Sequence, residues 1–131
     1  MQTFLPYPSF EQSARVLDRQ RLGKQRVEAK QIIDTLEGRS FGWSHHPAVR
    51  MWIGYVDALK LYFNVVSREW EKRGYKHNLS YYKLPDSIVF PPWLGNEVFH
   101  YAHRASLYRK NPIYYFGWTG IDAKTPYVWP V

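Results

Sequence analysis

The stretch DRQRLGKQRVEAKQ, Asp18 to Gln31, decides how this chain folds. Leu22 and Ala29, continued by Ile33 and Leu36, fall on one stripe at 3.6 residues per turn. Asp18 opens the segment and Gly38 supplies the left-handed residue that commonly stops a helix, so a helix is predicted over about 18 to 37. Between Arg19 and Glu28 the same segment sets six bases or amides around a single carboxylate. With Arg21 as the zero of a wheel turning about 100° per residue, Lys24, Gln25 and Glu28 lie within about a quarter turn of it, and the Leu22 stripe lies roughly perpendicular. The stripe can therefore bury itself while Glu28 stays on a wall with cations. There Glu28 is placed to act as a base or to stabilise a cationic intermediate, and the cations to hold phosphates. The structural alternative is a solvated i,i+4 pair of Lys24 with Glu28, worth roughly 0.3–0.5 kcal/mol.

Working outward, Ser9 followed by Gln12 reads as a capping box, and Phe10, Ala14 and Leu17 make one face of a short first helix that bends or restarts near Asp18. His46 with Pro47 reads as a cap followed by proline at the first helical position. Val49, Trp52, Val56, Leu59, Phe63, Val66 and Trp70 then form a continuous stripe up to Lys72, Arg73 and a stop at Gly74. This predicts a single spine of about 27 residues, ~40 Å long. Asn96 is expected to cap a last helix running to about Tyr108, which Asn111 and Pro112 end. The tail from Ile113 to Val131 reads as extended or looped, and is aromatic enough that it must pack on something. Some β-propensity in YKLPDSIVF pairs with nothing. The expectation is an all-α, compact single-domain helical fold over residues 1–131, with one long central helix and an extended aromatic C-terminal tail.

At 131 residues the chain can bury a core without staples. It has no cysteine, which excludes disulfides, cysteine nucleophiles and thiolate metal sites, and fits a reducing compartment. No apolar run approaches the ~20 residues that span a bilayer, and MQTFLPYPSF lacks the pattern of a signal peptide. Met1 is expected to be the true start and the cytoplasm, bacterial or of a phage's host and close to the nucleoid, the compartment. The excess of 18 Lys+Arg over 11 Asp+Glu gives a formal charge of +7, and aromatics reach 18%. Bases interleaved with Trp and Tyr suit a protein that grips phosphates while stacking on or wedging between nucleobases. The rival reading is a small basic domain with an aromatic core. His100 and His103 at i,i+3, and His45 beside His46, invite a metal reading, but no cysteine or acid completes a ligand set, so no metal is expected. His103 and Arg104 are instead candidates for phosphate contact or for packing.

Three blocks, RQRLGKQRVE (19–28), KRGY (72–75) and KNPIYYFGW (110–118), resemble in order and approximate spacing the phage-type pyrimidine-dimer DNA glycosylases with abasic-site lyase activity. In that resemblance the family's glutamine, basic residue and leucine fall on Gln20, Arg21 and Leu22, and its catalytic glutamate on Glu28. It implies an all-α domain with the N-terminus in its DNA-facing surface, working as a monomer without metal or other cofactor on double-stranded DNA that carries a lesion. It further implies that the terminal α-amine attacks C1′ of the damaged nucleotide, and that the resulting imine is eliminated to nick the strand with Glu28 assisting. An α-amine sheds its proton far more readily than a lysine, which suits it to this task.

The family usually exposes a small residue by losing its initiator methionine, whereas Gln2 is a poor signal for that loss, so the amine belongs to Met1 or Gln2. Val27 stands where family members commonly carry arginine, which passes a phosphate contact to Lys24 or Arg26. The expected DNA contacts are thus Gln20, Arg21, Lys24, Gln25, Arg26, His103 and Arg104, with Tyr115 or Trp118 from the tail stacking on bases. Two rivals stay open: a non-catalytic nucleic-acid-binding module of the same fold, and an excision enzyme for a modified base or for RNA.

Overall fold

The structure is a computed structural model that describes all 131 residues. It contains five helices and no strand: α1 Phe10–Val16, α2 Arg19–Leu36, α3 Pro47–Arg50, α4 Val56–Lys72 and α5 Glu97–Lys110. No helix is long and apolar enough to cross a membrane. Local signals set most of the boundaries. The Ser9 hydroxyl accepts from Gln12 N–H at the start of α1, and Asn96 Oδ1 accepts from Val98 and Phe99 N–H at the start of α5. His46 caps α3 through Nδ1, which accepts from Ala48 N–H, with Pro47 in the first turn. Between α1 and α2 the extended backbone of Leu17 and Asp18 makes the predicted restart.

The single spine expected over about 27 residues is two helices. The chain leaves α3 at Arg50 and turns through Met51–Tyr55, where Gly54 takes φ +85°, before α4 begins at Val56. The apolar stripe continues through the break because Met51 and Trp52 are buried by the turn itself, so periodicity alone hides it. Only glycine adopts that φ at no steric cost, which makes Gly54 the residue that divides the spine.

The core lies where α2 crosses α4. Leu22, Ala29, Ile32 and Ile33 of α2 meet Leu59, Tyr62, Phe63 and Val66 of α4, and Phe10, Ala14 and Leu17 close one end. Gly23 permits the approach near the far end of α4, since a Cβ there would stand 3.0 Å from two ring atoms of Trp70. The tail is irregular and packed, as its aromatic content predicts: Tyr115 is buried, and Trp118, Val128 and Trp129 rest against the core.

Candidate active site

The site is built around an extended strap, residues 1–7, that passes between helices with Thr3, Phe4 and Leu5 buried. An extended segment surrounded by helices has no ladder to pair with, and buried backbone groups left unpaired are costly. Side chains supply the partners instead. Gln25 of α2 accepts from Phe4 N–H through Oε1 (2.8 Å) and donates through Nε2 to Gln2 O (3.0 Å). The Tyr62 hydroxyl of α4 lies 2.7 Å from Phe4 O and 2.6 Å from Gln25 Oε1, its one proton serving either. Trp52 Nε1–H donates to Thr3 Oγ1 at 3.1 Å. From α5, Arg104 donates to Pro6 O at 2.7 Å.

Two buried histidines hold Leu5. His103 Nδ1 accepts from Leu5 N–H at 2.9 Å, and its Nε2 meets the Tyr127 hydroxyl at 2.7 Å. His100 Nε2 accepts from Gly95 N–H (2.9 Å), which leaves Nδ1–H to donate to Leu5 O at 2.7 Å. Both rings are therefore neutral, since each needs one bare nitrogen. Burial, reinforced by His100, lowers the His103 pKa to about 3, and burial first of all lowers that of His100. An unfolded imidazole takes up a proton near pH 6.5. Below that pH the unfolded state binds more protons than the folded one, so stability falls as pH falls, down to about 3 for His103. Urea unfolding between pH 6.5 and 4 is expected to show a loss of roughly 1 kcal/mol per pH unit from this residue. His103→Asn, which keeps an acceptor, is expected to flatten the profile; an unchanged slope would contradict the neutral pairing.

The strap brings its first residues to Glu28. Gln2 N–H donates to Glu28 Oε2 at 3.1 Å, and Gln25 Nε2 reaches the same oxygen at 3.3 Å. Oε1 takes no hydrogen bond from the protein, so one carboxylate oxygen is fixed and the other is available. A cleft of about 320 Å³ opens here, lined by Met1, Gln2, Arg21, Lys24, Gln25 and Glu28 together with Ser106, Lys110, Tyr127 and Trp129. On the other side of Glu28 lies a groove of about 650 Å³ with Arg19, Gln20, Val27 and Trp70 on its walls. Glu28 and Lys24 border both, and Glu28 is the only acid in either. Lys24 and Glu28 are not an ion pair. Burial, and after it the charge of Glu28, raise the pKa of Tyr62; burial, then Tyr62 and then Glu28 raise that of Tyr127; and at His46 burial and the terminal amine lower the pKa while Glu28 opposes them.

Six of the predicted residues therefore converge on one cleft: Met1, Gln2, Arg21, Lys24, Gln25 and Glu28. Gln20 lines the adjoining groove. Arg21 is oriented by Asp18 Oδ2 at 3.1 Å. Other expectations need correcting. Gln25 is 1% exposed, and its amide is spent on the strap rather than presented to the cleft mouth. Arg26 lies about 140° from Arg21 on the helical wheel, and its guanidinium sits 4.7 Å from the Trp70 ring centroid with Nη1 2.7 Å from His77 Nδ1. Lys24 thus stands alone at the position expected to replace the family arginine. His103 is fully buried, and Arg104 is committed to Pro6 O and Glu97. Tyr115 is buried, its hydroxyl accepting from Asp18 N–H and donating to Asp18 Oδ1. Trp118 stacks on Tyr115 at 4.5 Å, outside the cleft. Sequence reasoning missed Tyr62, Lys110, Tyr127 and Trp129, which reach the site only through the packing of α4, α5 and the tail. No three His, Asp or Glu side chains converge as metal ligands would.

A family model described as pyrimidine dimer DNA glycosylase matches residues 1–83, which contain the strap, the α2 wall and all of α3 and α4. The chain belongs to that family. No curated protein and no solved structure matches it significantly. Membership in the pyrimidine dimer DNA glycosylases implies damaged DNA as the bound partner, and the matched segment includes Met1, Gln2, Lys24 and Glu28. The cleft's remaining wall, from α5 and the tail, lies beyond the matched residues.

Proposed function

We propose that this pyrimidine dimer glycosylase family member both excises damaged pyrimidines from duplex DNA and cleaves the resulting abasic site, using its terminal α-amine and Glu28. One observation carries the reading: the backbone nitrogen of residue 2 is 3.1 Å from a carboxylate oxygen at the base of a cationic cleft. The amine attacks C1′, the bond from C1′ to the base breaks, and the base departs with the bonding pair and gains a proton. Glu28 takes the proton that the attacking nitrogen must shed, and stabilises the cationic sugar. Glu28 hands that proton to the ring oxygen O4′ as the C1′–O4′ bond breaks, so the sugar opens to an imine and the carboxylate is restored. Loss of a C2′ proton to Glu28 then expels the 3′ phosphate and nicks the strand. Arg21, Lys24 and Lys110 hold the backbone during these steps. Reaching C1′ requires a bent duplex or an extruded nucleotide, both less costly where a lesion has weakened stacking. The enzyme works as a monomer in the cytoplasm. With Met1 in place, its α-amine lies one residue beyond the nitrogen that meets Glu28; removal of Met1 would put the amine of Gln2 at that nitrogen.

Incubation with dimer-containing or abasic duplex in the presence of borohydride tests the reading. A covalent protein–DNA adduct and a nicked strand are the expected results. Tight binding with neither product would establish the non-catalytic module instead.

A further inference from the structure

The loop between α2 and α3, RSFGWSHH (39–46), takes no part in the chemistry above, yet it exposes two large rings. Phe41 is 77% and Trp43 46% exposed. Both ends of the loop are fixed. Arg39 bonds Glu37 at 2.7 Å and approaches Asp34 at 3.5 Å, while its N–H donates to Asp34 O. At the other end His46 N–H donates to Trp43 O at 2.9 Å, and the His46 ring caps α3. The tip thus projects two rings between hydrogen-bonded ends, an arrangement suited to a binding loop.

The loop is also backed against the cleft. The Trp43 ring meets the His46 ring edge-on at 5.9 Å, His46 meets Trp129 at 5.7 Å, and Trp129 lies 4.6 Å from Tyr127. Tyr127 and Trp129 line the cleft with Met1 and Glu28. A row of rings therefore runs from Trp43 to the cleft that Met1 and Glu28 line.

We propose that Phe41 and Trp43 form a wedge that enters the duplex at the damaged step and stacks on the flanking base pair, while the His46–Trp129–Tyr127 row sets its distance from the cleft. The occupant follows from the surroundings. The row ends in a cleft lined by Arg21, Lys24 and Lys110, which suits a phosphate backbone, and exposed planar rings at the row's other end suit the gap left by an unstacked base. This inference rests on the proposed reading of the cleft as a DNA site, but it does not depend on the chemistry.

The test uses binding by the full chain carrying Glu28→Gln, so that a protein that excises nothing still answers. Phe41→Ala with Trp43→Ala is expected to weaken binding to abasic-site duplex by about ten- to a hundredfold, the worth of one or two lost stacks. Affinity for undamaged duplex, which rests on phosphates, is expected to change less than twofold. With 2-aminopurine beside the abasic site, the complex is expected to show a fluorescence change that the double variant abolishes. Circular dichroism and thermal melting check that the variant is folded. Equal losses on damaged and undamaged duplex, no loss on either, or a loss only of self-association would each overturn the wedge. A chain that excises lesions normally while giving one of those results would keep the proposed function and lose only this inference.

Discussion

Glu28→Gln is expected to lower the single-turnover rate of excision by about 10²–10⁴-fold, the range associated with loss of a positioned acid–base group. The substitution preserves shape, and a glutamine carbonyl still accepts the Gln2 N–H that Oε2 accepts at 3.1 Å. What it removes is the group that, in the proposed mechanism, takes protons from the attacking nitrogen and from C2′ and stabilises the cationic sugar between them. Affinity for damaged duplex is expected to stay the same or rise, because Glu28 is the only acid among the cleft residues and phosphates meet less repulsion without it. Stability should change little, since the side chain is only part-buried. Quenched-flow or gel assays of single turnover, alongside titration of labelled duplex, separate these effects. A rate within tenfold of the parent would remove Glu28 from the mechanism.

Gln25→Leu is expected to be the most damaging change outside the reacting groups. Gln25 fastens the strap by accepting from Phe4 N–H and donating to Gln2 O. Leucine leaves both backbone groups unpaired next to the core. Each costs about 1–3 kcal/mol, so a loss of roughly 2–5 kcal/mol in urea unfolding is expected. The catalytic loss has a separate origin. With Gln2 O released, the terminal residues no longer hold their distance from Glu28, and a displacement of the order of 1 Å can cost about a hundredfold in rate. The rate constant at saturating DNA should therefore fall while affinity, which the proposed phosphate contacts of Arg21, Lys24 and Lys110 would set, is largely kept. Lowered stability with an unchanged rate would show that the strap finds its place without this amide.

Much of the architecture is legible in short-range patterns. The caps at Ser9, His46 and Asn96 and the restart at Asp18 are local, each decided by a few residues, and they stand where the sequence puts them. Gly54 is the exception: its neighbours Trp52 and Val56 suit both a helix face and a buried turn, and only the packed chain distinguishes the two. The α2 wall is legible for the same local reason, because helical geometry alone puts Arg21, Lys24, Gln25 and Glu28 side by side. Which polar groups turn inward is not local. Leu5 and His103 are 98 residues apart, Asp18 and Tyr115 97, and Phe4 and Tyr62 58. Gln25, His103, Arg104 and Tyr115 look like surface chemistry until the strap and tail are seen to need partners. For Arg26 the wheel alone held the answer, since it points away from Glu28.

The central proposal is that the chain's terminal amine, in the cleft where the strap ties Gln2 N–H to Glu28, is the nucleophile. Mass mapping of the borohydride-trapped adduct tests it most directly. The first tryptic peptide, Met1–Arg15, contains no lysine, so its only amine is the terminal one. The account predicts that the trapped deoxyribose remnant lies on this peptide, or on the peptide beginning at Gln2 if Met1 has been removed. An adduct on a peptide carrying Lys24 or any other lysine, with the N-terminal peptide unmodified, would contradict it.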